Sequence, residues 1–450
     1  MAKLEYDKDG RLLFTKEMKE EYTLLMPMML PVTFTLLKKM MVLSGYKIDL
    51  LETNHRGIVD TGLKYVHNDT CYPALLIIGQ LIDAVQSGKY DVNKVGLLIT
   101  QTGGGCRASN YIHLLRKALK KAGLEQIPVV SVNLSGLEKN PGFKLGLGLV
   151  RRMAIGMLYG DLLTHLGNQV RPYEVQKGAT DGLITHWTDE LVTMFENGKG
   201  MTQKAMRPIM EHICEDFAKV DTEGPPKPRV GVVGEIFVKY APLGNNNLEQ
   251  FLLDEGCETV VPGLTDFIIF KINNRVEDAD IYHGSRLKKL LAGALQTYVV
   301  NIQALMIEAV KTQPKFRPMG TFQELKDGVK GYLGYGNKMG EGWLLTGEML
   351  ELIHQGTNNI VCTQPFGCLP NHVVGKGMIR RLKDDYPNSN IVAIDYDPGA
   401  TKINQENRIK LMLANSGRLA EGAKKEKTAA GVFEPETVTQ TQPPIVAGAH

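Results

Sequence analysis

The residues best suited to chemistry are four of the six cysteines, because each stands where one predicted element gives way to the next. Cys71 and Cys368 each precede a proline by two positions, Cys106 closes a run of three glycines, and Cys362 ends a predicted strand. Proline is favoured at the first position of a helix, so the two Cys-x-Pro segments place a thiol just ahead of a helix start. The unpaired N–H groups there lower the pKa of a thiol and favour the thiolate, which is the form that binds metal.

The surroundings of these thiols favour a soft metal or a cluster. Residues 352–375 contain no Asp, Glu, Lys or Arg, and thiolates without nearby carboxylates favour zinc or iron–sulfur over magnesium or calcium. The spacing Cys362-x5-Cys368 is wider than that of a zinc ribbon and is a weak signal by itself. Any one of these cysteines taken alone could instead be a small buried hydrophobe. We prefer that interpretation for Cys214 and Cys257, since neither stands at a helix start.

Two other segments at strand ends could contact a cofactor. Gly103, Gly104 and Gly105 follow a predicted buried strand, and they would let the backbone approach a ligand and aim N–H groups at it. The run lacks the Gly-Lys-Ser/Thr ending of a P-loop, so a tight strand-to-helix turn is the alternative. Glu235 also follows a strand, where its carboxylate could accept bonds from helix-start N–H groups or face a cleft between lobes.

Short apolar runs alternate with longer helical patterns along most of the chain, which indicates parallel sheets covered on both faces. We therefore predict two α/β lobes of doubly wound type, at residues 21–220 and 229–415, with a helical segment in the first lobe. Residues 1–20 form an N-terminal extension, residues 221–228 a linker rich in proline, and residues 416–450 a disordered tail. The predicted strands are residues 24–29, 46–51, 95–100, 127–132, 229–234, 258–261, 359–362 and 391–395.

The composition excludes several classes of protein. The chain has 450 residues with 52 Lys and Arg against 49 Asp and Glu, a near-neutral balance that argues against a nucleic-acid binder. Its six cysteines are too sparse for a disulfide framework. The uncharged run at residues 22–37 is short for a bilayer, and polar residues interrupt the one at residues 290–307, which indicates a buried helix. We expect a soluble, cytoplasmic protein without a membrane or nucleic-acid partner.

Four segments together resemble the 2-hydroxyacyl-CoA dehydratase superfamily, which also includes benzoyl-CoA reductase subunits and the double-cubane cluster protein. The resemblance is to the branch often found as the C-terminal part of long chains that carry ATPase activator domains in front, and it covers about residues 10–415. The segments are residues 68–73 (NDTCYP), 100–111 (TQTGGGCRASNY), 231–236 (GVVGEI) and 362–372 (CTQPFGCLPNH).

The resemblance implies two flavodoxin-like lobes with an iron–sulfur cluster between them. It also implies a homo- or heterodimer, an ATPase partner of the actin/Hsp70-like fold that drives a low-potential electron into the cluster, and an acyl-CoA or other small molecule as substrate. Four cysteines match one 4Fe–4S cluster, whereas a double-cubane 8Fe–9S cluster would need Cys214 and Cys257 as well. The implied cluster ligands are Cys71, Cys106, Cys362 and Cys368.

Three functions stay open at this point. The first is an iron–sulfur reductase or dehydratase-like component that depends on an ATPase activator. The second is a non-catalytic electron-transfer or scaffold subunit, which the absence of an obvious acid–base constellation favours. The third is a structural zinc protein. If only three of the four cysteines bind a 4Fe–4S cluster, one iron is left open for substrate; four ligands would indicate an electron relay.

Overall fold

The computed structural model of the chain describes residues 3–101, 104–133 and 138–429. Within this part of the chain, eight strands form two separate four-stranded sheets in which every pairing is parallel. The strands are β1 (Thr23–Pro27), β2 (Lys47–Leu51), β3 (Val95–Thr100), β4 (Val129–Val132), β5 (Arg229–Gly234), β6 (Glu258–Val260), β7 (Asn359–Pro365) and β8 (Asn390–Tyr396).

Both sheets have the same strand order. The first sheet runs β2-β1-β3-β4 and the second runs β6-β5-β7-β8, which is the flavodoxin-like order in each lobe. The predicted fold class, two doubly wound α/β lobes with parallel sheets, is therefore confirmed. In the first sheet β1 pairs with β3 only over Thr23–Leu25, so the two strands lose their pairing toward their carboxyl ends. In open α/β sheets that edge, where the strand order reverses, is where ligands bind.

Seventeen α-helices accompany these strands in the described residues, and several of the longer ones follow the predicted ranges closely. They are α1 (Lys16–Glu21), α2 (Pro31–Val42), α3 (Arg56–Tyr65), α4 (Tyr72–Gln86), α5 (Tyr111–Ala122), α6 (Leu147–Val170), α7 (Ala179–Glu196), α8 (Gln203–Ala218), α9 (Ile236–Tyr240), α10 (Pro242–Asn245), α11 (Leu248–Asp254), α12 (Leu264–Ile281), α13 (Arg286–Lys311), α14 (Phe322–Gly328), α15 (Leu344–His354), α16 (Ile379–Asp385) and α17 (Lys402–Ala429).

The local sequence explains the elements that lead to the first glycine loop. β3 is buried along its whole length apart from Thr100, as expected for a central parallel strand with both faces covered. α5 buries Ile112, Leu115 and Leu119 on one face, and it ends at Gly123, whose φ of 71° is the left-handed conformation that glycine adopts freely. The strand and the helix thus hold the loop between them at the carboxyl edge of the sheet.

The predicted helical segment of the first lobe is present as α6, α7 and α8. Its hydrophobic core also contains side chains of the second half of α13, among them Met306 and Val310, so this core joins both predicted lobes. Phe14 and Met18 belong to the same core, which ties the predicted N-terminal extension to the first lobe. The predicted linker, residues 221–228, contains no helix or strand, and Thr222 forms an isolated bridge with Glu174.

The uncharged run at residues 290–307 lies within α13, where the sequence predicts a buried helix. Among the described residues, α13 is the helix long and apolar enough to cross a membrane by length and composition. The prediction is wrong for its N-terminal half, where Leu290 and Leu291 are exposed, because only the C-terminal half packs against α6 and α8. At the other end of the chain, α17 continues past Ser416 to Ala429, and residues 430–450 of the predicted tail lie outside the described residues.

Candidate metal centre

Three of the four candidate cysteines come together where the two lobes face each other. Cys71 is the residue before α4, Cys106 precedes a short 3-10 turn that follows β3, and Cys368 follows β7. The backbone N–H of Tyr72 donates a 3.0 Å hydrogen bond to the carbonyl oxygen of Phe366. This bond ties the cysteine segment at the start of α4, in the first lobe, to the turn that carries Cys368 in the second.

Gly367 makes this close approach possible. Its φ is 71°, and a Cβ atom built there would lie 3.1 Å from the Cα atom of Cys71. A side chain at this position would push the two cysteine segments apart, in addition to straining the backbone. The glycine before Cys368 is therefore required by the packing between the lobes.

A loop from the second lobe fills the space between Cys106 and the Cys368 segment. A Cβ atom built on Gly340 would lie 3.9 Å from the Sγ atom of Cys106 and 3.2 Å from Cγ of Pro370. The side chain of Met339 lies against Gly105, whose built Cβ atom would be 2.5 Å from the methionine sulfur. The loop thus bridges the glycine run of the first lobe and the helical turn after Cys368.

Two buried carboxyl groups stand beside the three thiols. Glu235 caps α9, with its Oε2 accepting a 2.9 Å hydrogen bond from the N–H of Val238, and Glu341 accepts one of 3.0 Å from the N–H of Ile236. The negative charge of Glu235 raises the pKa of all three thiols, and that of Glu341 raises the pKa of Cys106 and Cys368. Burial, and then the charge of Glu341, raise the pKa of Glu235 to about 8.

These carboxyl groups correct one expectation from the sequence. The thiols were expected to have no carboxylate nearby, because none occurs in residues 352–375. The fold brings Glu235 and Glu341 to the site from elsewhere in the second lobe. Gly234, the residue before Glu235, has a φ of 140°. A Cβ atom built on it would lie 2.2 Å from Oγ1 of Thr363, so no side chain fits at this position.

Side chains form hydrogen bonds with two of the three sulfur atoms. The Sγ atom of Cys71 lies 3.0 Å from the hydroxyl oxygen of Tyr111. The amide nitrogen Nδ2 of Asn371 donates to the Sγ atom of Cys368 at 3.2 Å and to Oε2 of Glu341 at 3.4 Å. Hydrogen bonds to sulfur are one of the means by which a protein tunes a metal thiolate site.

The thiol pKa values move in the direction opposite to the sequence prediction. Burial raises the pKa of Cys71 to about 11 and also raises those of Cys106 and Cys368. Local hydrogen bonds act in the lowering direction at each cysteine, but removal of the sulfur from water outweighs them. Without a metal the three thiols are therefore protonated at neutral pH, and metal binding would release protons.

Cys362 does not join this group. The prediction that it ends a strand is wrong, because β7 continues to Pro365 and Cys362 stands in mid-strand opposite Val233 and Ala393. Its side chain is fully buried in a hydrophobic cluster with Met349 and Leu350. Burial raises the pKa of its thiol to about 12, and its charged neighbours are not the glutamates beside the other three cysteines.

Cys214 and Cys257 are buried in two further hydrophobic clusters, as the sequence predicts. Of the glycine run, Gly103 lies outside the described residues. The carbonyl oxygen of Gly104 accepts a 2.6 Å hydrogen bond from the hydroxyl of Ser109, which closes the loop onto the turn after Cys106.

Sequence reasoning missed Glu341, Lys271 and the role of Asn371. Lys271 on α12 donates a hydrogen bond to the carbonyl oxygen of Gly340. Its ammonium group interacts electrostatically with Glu341 and Cys106. The signal that could have pointed to this loop is the pair of glycines, Gly340 and Gly342, that flanks Glu341.

The donor set suits an iron–sulfur cluster in its chemistry: three thiols at turns, hydrogen bonds at each sulfur, and closely packed backbone around them. Among residues 3–101, 104–133 and 138–429, no three His, Cys, Asp or Glu side chains are close enough together to hold one metal ion. A cluster differs from a single ion in this respect, since each cysteine ligates a different iron atom. Scans of the chain against protein-family models and against curated protein sequences find no match.

Proposed function

We propose that this protein binds an iron–sulfur cluster through Cys71, Cys106 and Cys368 and acts as a reductase or dehydratase-like component that receives low-potential electrons. The observation that carries the proposal is the meeting of three thiols from both lobes beside one shared carboxyl neighbour, Glu235. Each thiol lies at a turn on the edge of an open α/β sheet where ligands bind. When bound, the cluster would supply one-electron chemistry at low potential.

The number of ligands supports a 4Fe–4S cluster with an open iron. Three cysteines leave one iron atom of such a cluster without a protein ligand, and a substrate or small molecule can occupy that position. A double-cubane 8Fe–9S cluster would need three more thiols, and none of the remaining cysteines has Glu235 or Glu341 as a charged neighbour. We therefore propose the smaller cluster.

The residues around the thiols support catalysis over simple electron relay. Glu235 and Glu341 provide two buried carboxyl groups beside the sulfurs, which is the acid–base pair that the sequence did not reveal. Tyr111 and Asn371 contact two of the sulfurs and would hold their lone pairs in fixed directions. Lys271 and the Met339–Glu341 loop cover the cysteines from the second-lobe side and would exclude water.

The substrate and the electron donor come from the resemblance alone. We propose an acyl-CoA or another small molecule as the substrate, and an ATP-hydrolysing activator of the actin/Hsp70-like fold as the donor. A cytoplasm kept reducing would preserve both the thiols and the cluster.

The experiment that tests this function is electron paramagnetic resonance on protein purified without oxygen and reduced with a low-potential chemical donor. We expect a signal from a reduced cluster, and we expect it to change when cyanide or an acyl-CoA is added, since an open iron binds an added ligand. An unchanged signal would indicate four protein ligands and an electron relay. No signal from iron-loaded protein would contradict the proposal.

A further inference from the structure

The N-terminal half of α13 exposes an apolar stripe to solvent. Its four leucines are between 51% and 70% exposed, and Tyr298 is 39% exposed. The residues are spaced three and four apart, so they lie on one face of the helix. No charged residue occurs between positions 290 and 307. The α13 stripe consists of Leu287, Leu290, Leu291, Ala294, Leu295 and Tyr298.

The stripe and the end of α12 together expose more apolar area than an ordinary patch. Ile281 and Tyr282, where α12 ends, are also exposed and lie in the same helical hairpin. Together these side chains expose on the order of 700 Å², against roughly 300–600 Å² for the largest patch on a typical monomer. A stable interface of standard size buries about 800 Å² per partner. The area is therefore what the core of a protein interface needs.

The rest of α13 is fixed to the body of the protein. Met306 and Val310 are buried in the helical core, and Gln303 donates a 2.6 Å hydrogen bond to the buried side chain of Asp266. Crossing a membrane would require pulling this half out of the core and breaking that bond. The stripe is thus an exposed face on an anchored helix.

We propose that the α13 stripe pairs with the α13 stripe of a second copy of this chain, with the two helices antiparallel. Two-fold pairing requires a surface that is complementary to itself. The stripe meets this condition about a sequence midpoint between Ala292 and Gly293. In this arrangement each stripe residue faces an apolar one: Leu287 faces Tyr298, Leu290 faces Leu295, and Leu291 faces Ala294.

The charges beside the stripe favour the antiparallel direction. The first turn of α13 carries Arg286 and Lys288 beside the stripe. A parallel pair would place these cations beside the same cations of the other copy, and like charges at close range are destabilising. The antiparallel pair places them beside the uncharged positions 299 and 297.

This pairing would also brace the cysteine site, although it does not depend on a cluster being present. The side chain of Lys338 forms an ion pair with Asp278 and lies 4.9 Å from the ring centre of Tyr282, near the tip of the hairpin. Lys338 begins the segment that continues into Gly340 and Glu341. A second copy held at the hairpin would therefore limit the movement of the loop between Cys106 and Cys368.

The test is the molar mass of the full chain in solution, measured by light scattering after size exclusion. We expect the wild-type chain to be a dimer and Leu291→Glu and Leu295→Glu each to be monomers, with the dissociation constant raised at least about 100-fold by a buried unpaired charge. Leu411→Glu is the matched control, because Leu411 is 64% exposed on another helix, and this variant should stay a dimer. All these side chains are exposed on the single chain, so the variants should still fold and keep the circular dichroism spectrum of the wild type.

Several outcomes would overturn the proposal. A wild-type chain that is a monomer at micromolar concentration would do so, and so would a Leu291→Glu variant that remains a dimer. A monomer that floats with phosphatidylcholine vesicles containing phosphatidylserine would assign the stripe to a lipid surface instead. The direction of pairing is tested by mixing Leu290→Glu with Leu295→Lys at low salt: a restored dimer supports the antiparallel arrangement, and a mixture that stays monomeric contradicts it.

Discussion

The Sγ atom of Cys71 lies 3.0 Å from the hydroxyl oxygen of Tyr111, and both groups are buried. The cysteine immediately precedes α4 and the tyrosine opens α5, so two helix starts of the first lobe meet at one sulfur atom. Because burial raises the pKa of both groups, the bond joins a neutral thiol to a neutral phenol when no metal is bound. With a thiolate ligand the hydroxyl would be the donor.

The first prediction concerns this hydrogen bond. In Tyr111→Phe the iron content should be unchanged, but the reduction potential should fall by roughly 50–100 mV, because a bond that stabilises the more electron-rich state is lost. The measurement is a redox titration followed by electron paramagnetic resonance. Tyr90→Phe is the control, since the Tyr90 hydroxyl bonds Asp49 elsewhere in the lobe. Equal potentials in wild type and Tyr111→Phe would show that this bond does not reach a cluster ligand.

The second prediction separates the cysteines. Cys368→Ala, like Cys71→Ala and Cys106→Ala, should lose most of the bound iron, because each removes one of only three thiolates. Cys362→Ala should keep its iron and lose about 1–2 kcal/mol of stability, as expected for a small cavity in a packed core. Iron analysis and urea unfolding provide the two readouts. A Cys362→Ala variant that folds but has no iron would return Cys362 to the ligand set.

The third prediction concerns a buried ion pair below the site. Nζ of Lys239, on the helix that Glu235 caps, lies 2.8 Å from Oε1 of Glu348, and both side chains are almost fully buried. Lys239→Met should lower the free energy of unfolding by about 3–5 kcal/mol, because it leaves a buried carboxyl group without its partner. Lys239→Met combined with Glu348→Leu should recover much of that loss in urea unfolding. Losses that simply add would show that the two side chains do not interact.

The fourth prediction is a pH dependence of stability that involves His165. Burial lowers its pKa to about 4 from an ordinary value of 6.5, with the charge of Arg317 acting in the same direction. Between these values the unfolded chain binds a proton that the folded chain does not, so this contribution to stability is present above pH 6.5 and is lost as the pH falls toward 4. Thermal midpoints across this range should fall less steeply for His165→Gln. Parallel curves for the two proteins would assign the acid sensitivity to other groups.

All eight strands of the described residues overlap the ranges that the sequence predicts. Buried parallel strands have short, continuous apolar sequences, and such runs are visible in the sequence. The main error was at β7, whose last three residues, Thr363, Gln364 and Pro365, are polar or a strand breaker. They are nevertheless buried and remain in register with β8. Since the apolar run stops at Cys362, the sequence predicts a strand end at that cysteine, three residues before the strand actually ends.

The rest of the site could not be read from local patterns. The side chain of Glu341 is held near the cysteines by the hydrogen bond that it accepts from the N–H of Ile236. Ile236 is 105 positions away in the chain, and no sequence spacing predicts such a contact. The thiol pKa values were misjudged for a related reason, since helix starts are visible in a sequence but burial between two lobes is not. The uncharged run at residues 290–307 predicts a buried helix along its whole length, because an uncharged run does not distinguish a core face from an exposed apolar one.

Analysis of iron and acid-labile sulfide in the wild-type chain, purified without oxygen from iron-replete cells, tests whether the three cysteines hold a cluster. We expect about four iron and four sulfide per chain, with the broad brown absorbance of a cluster. A colourless protein without iron under the same conditions would contradict the claim that Cys71, Cys106 and Cys368 hold an iron–sulfur cluster.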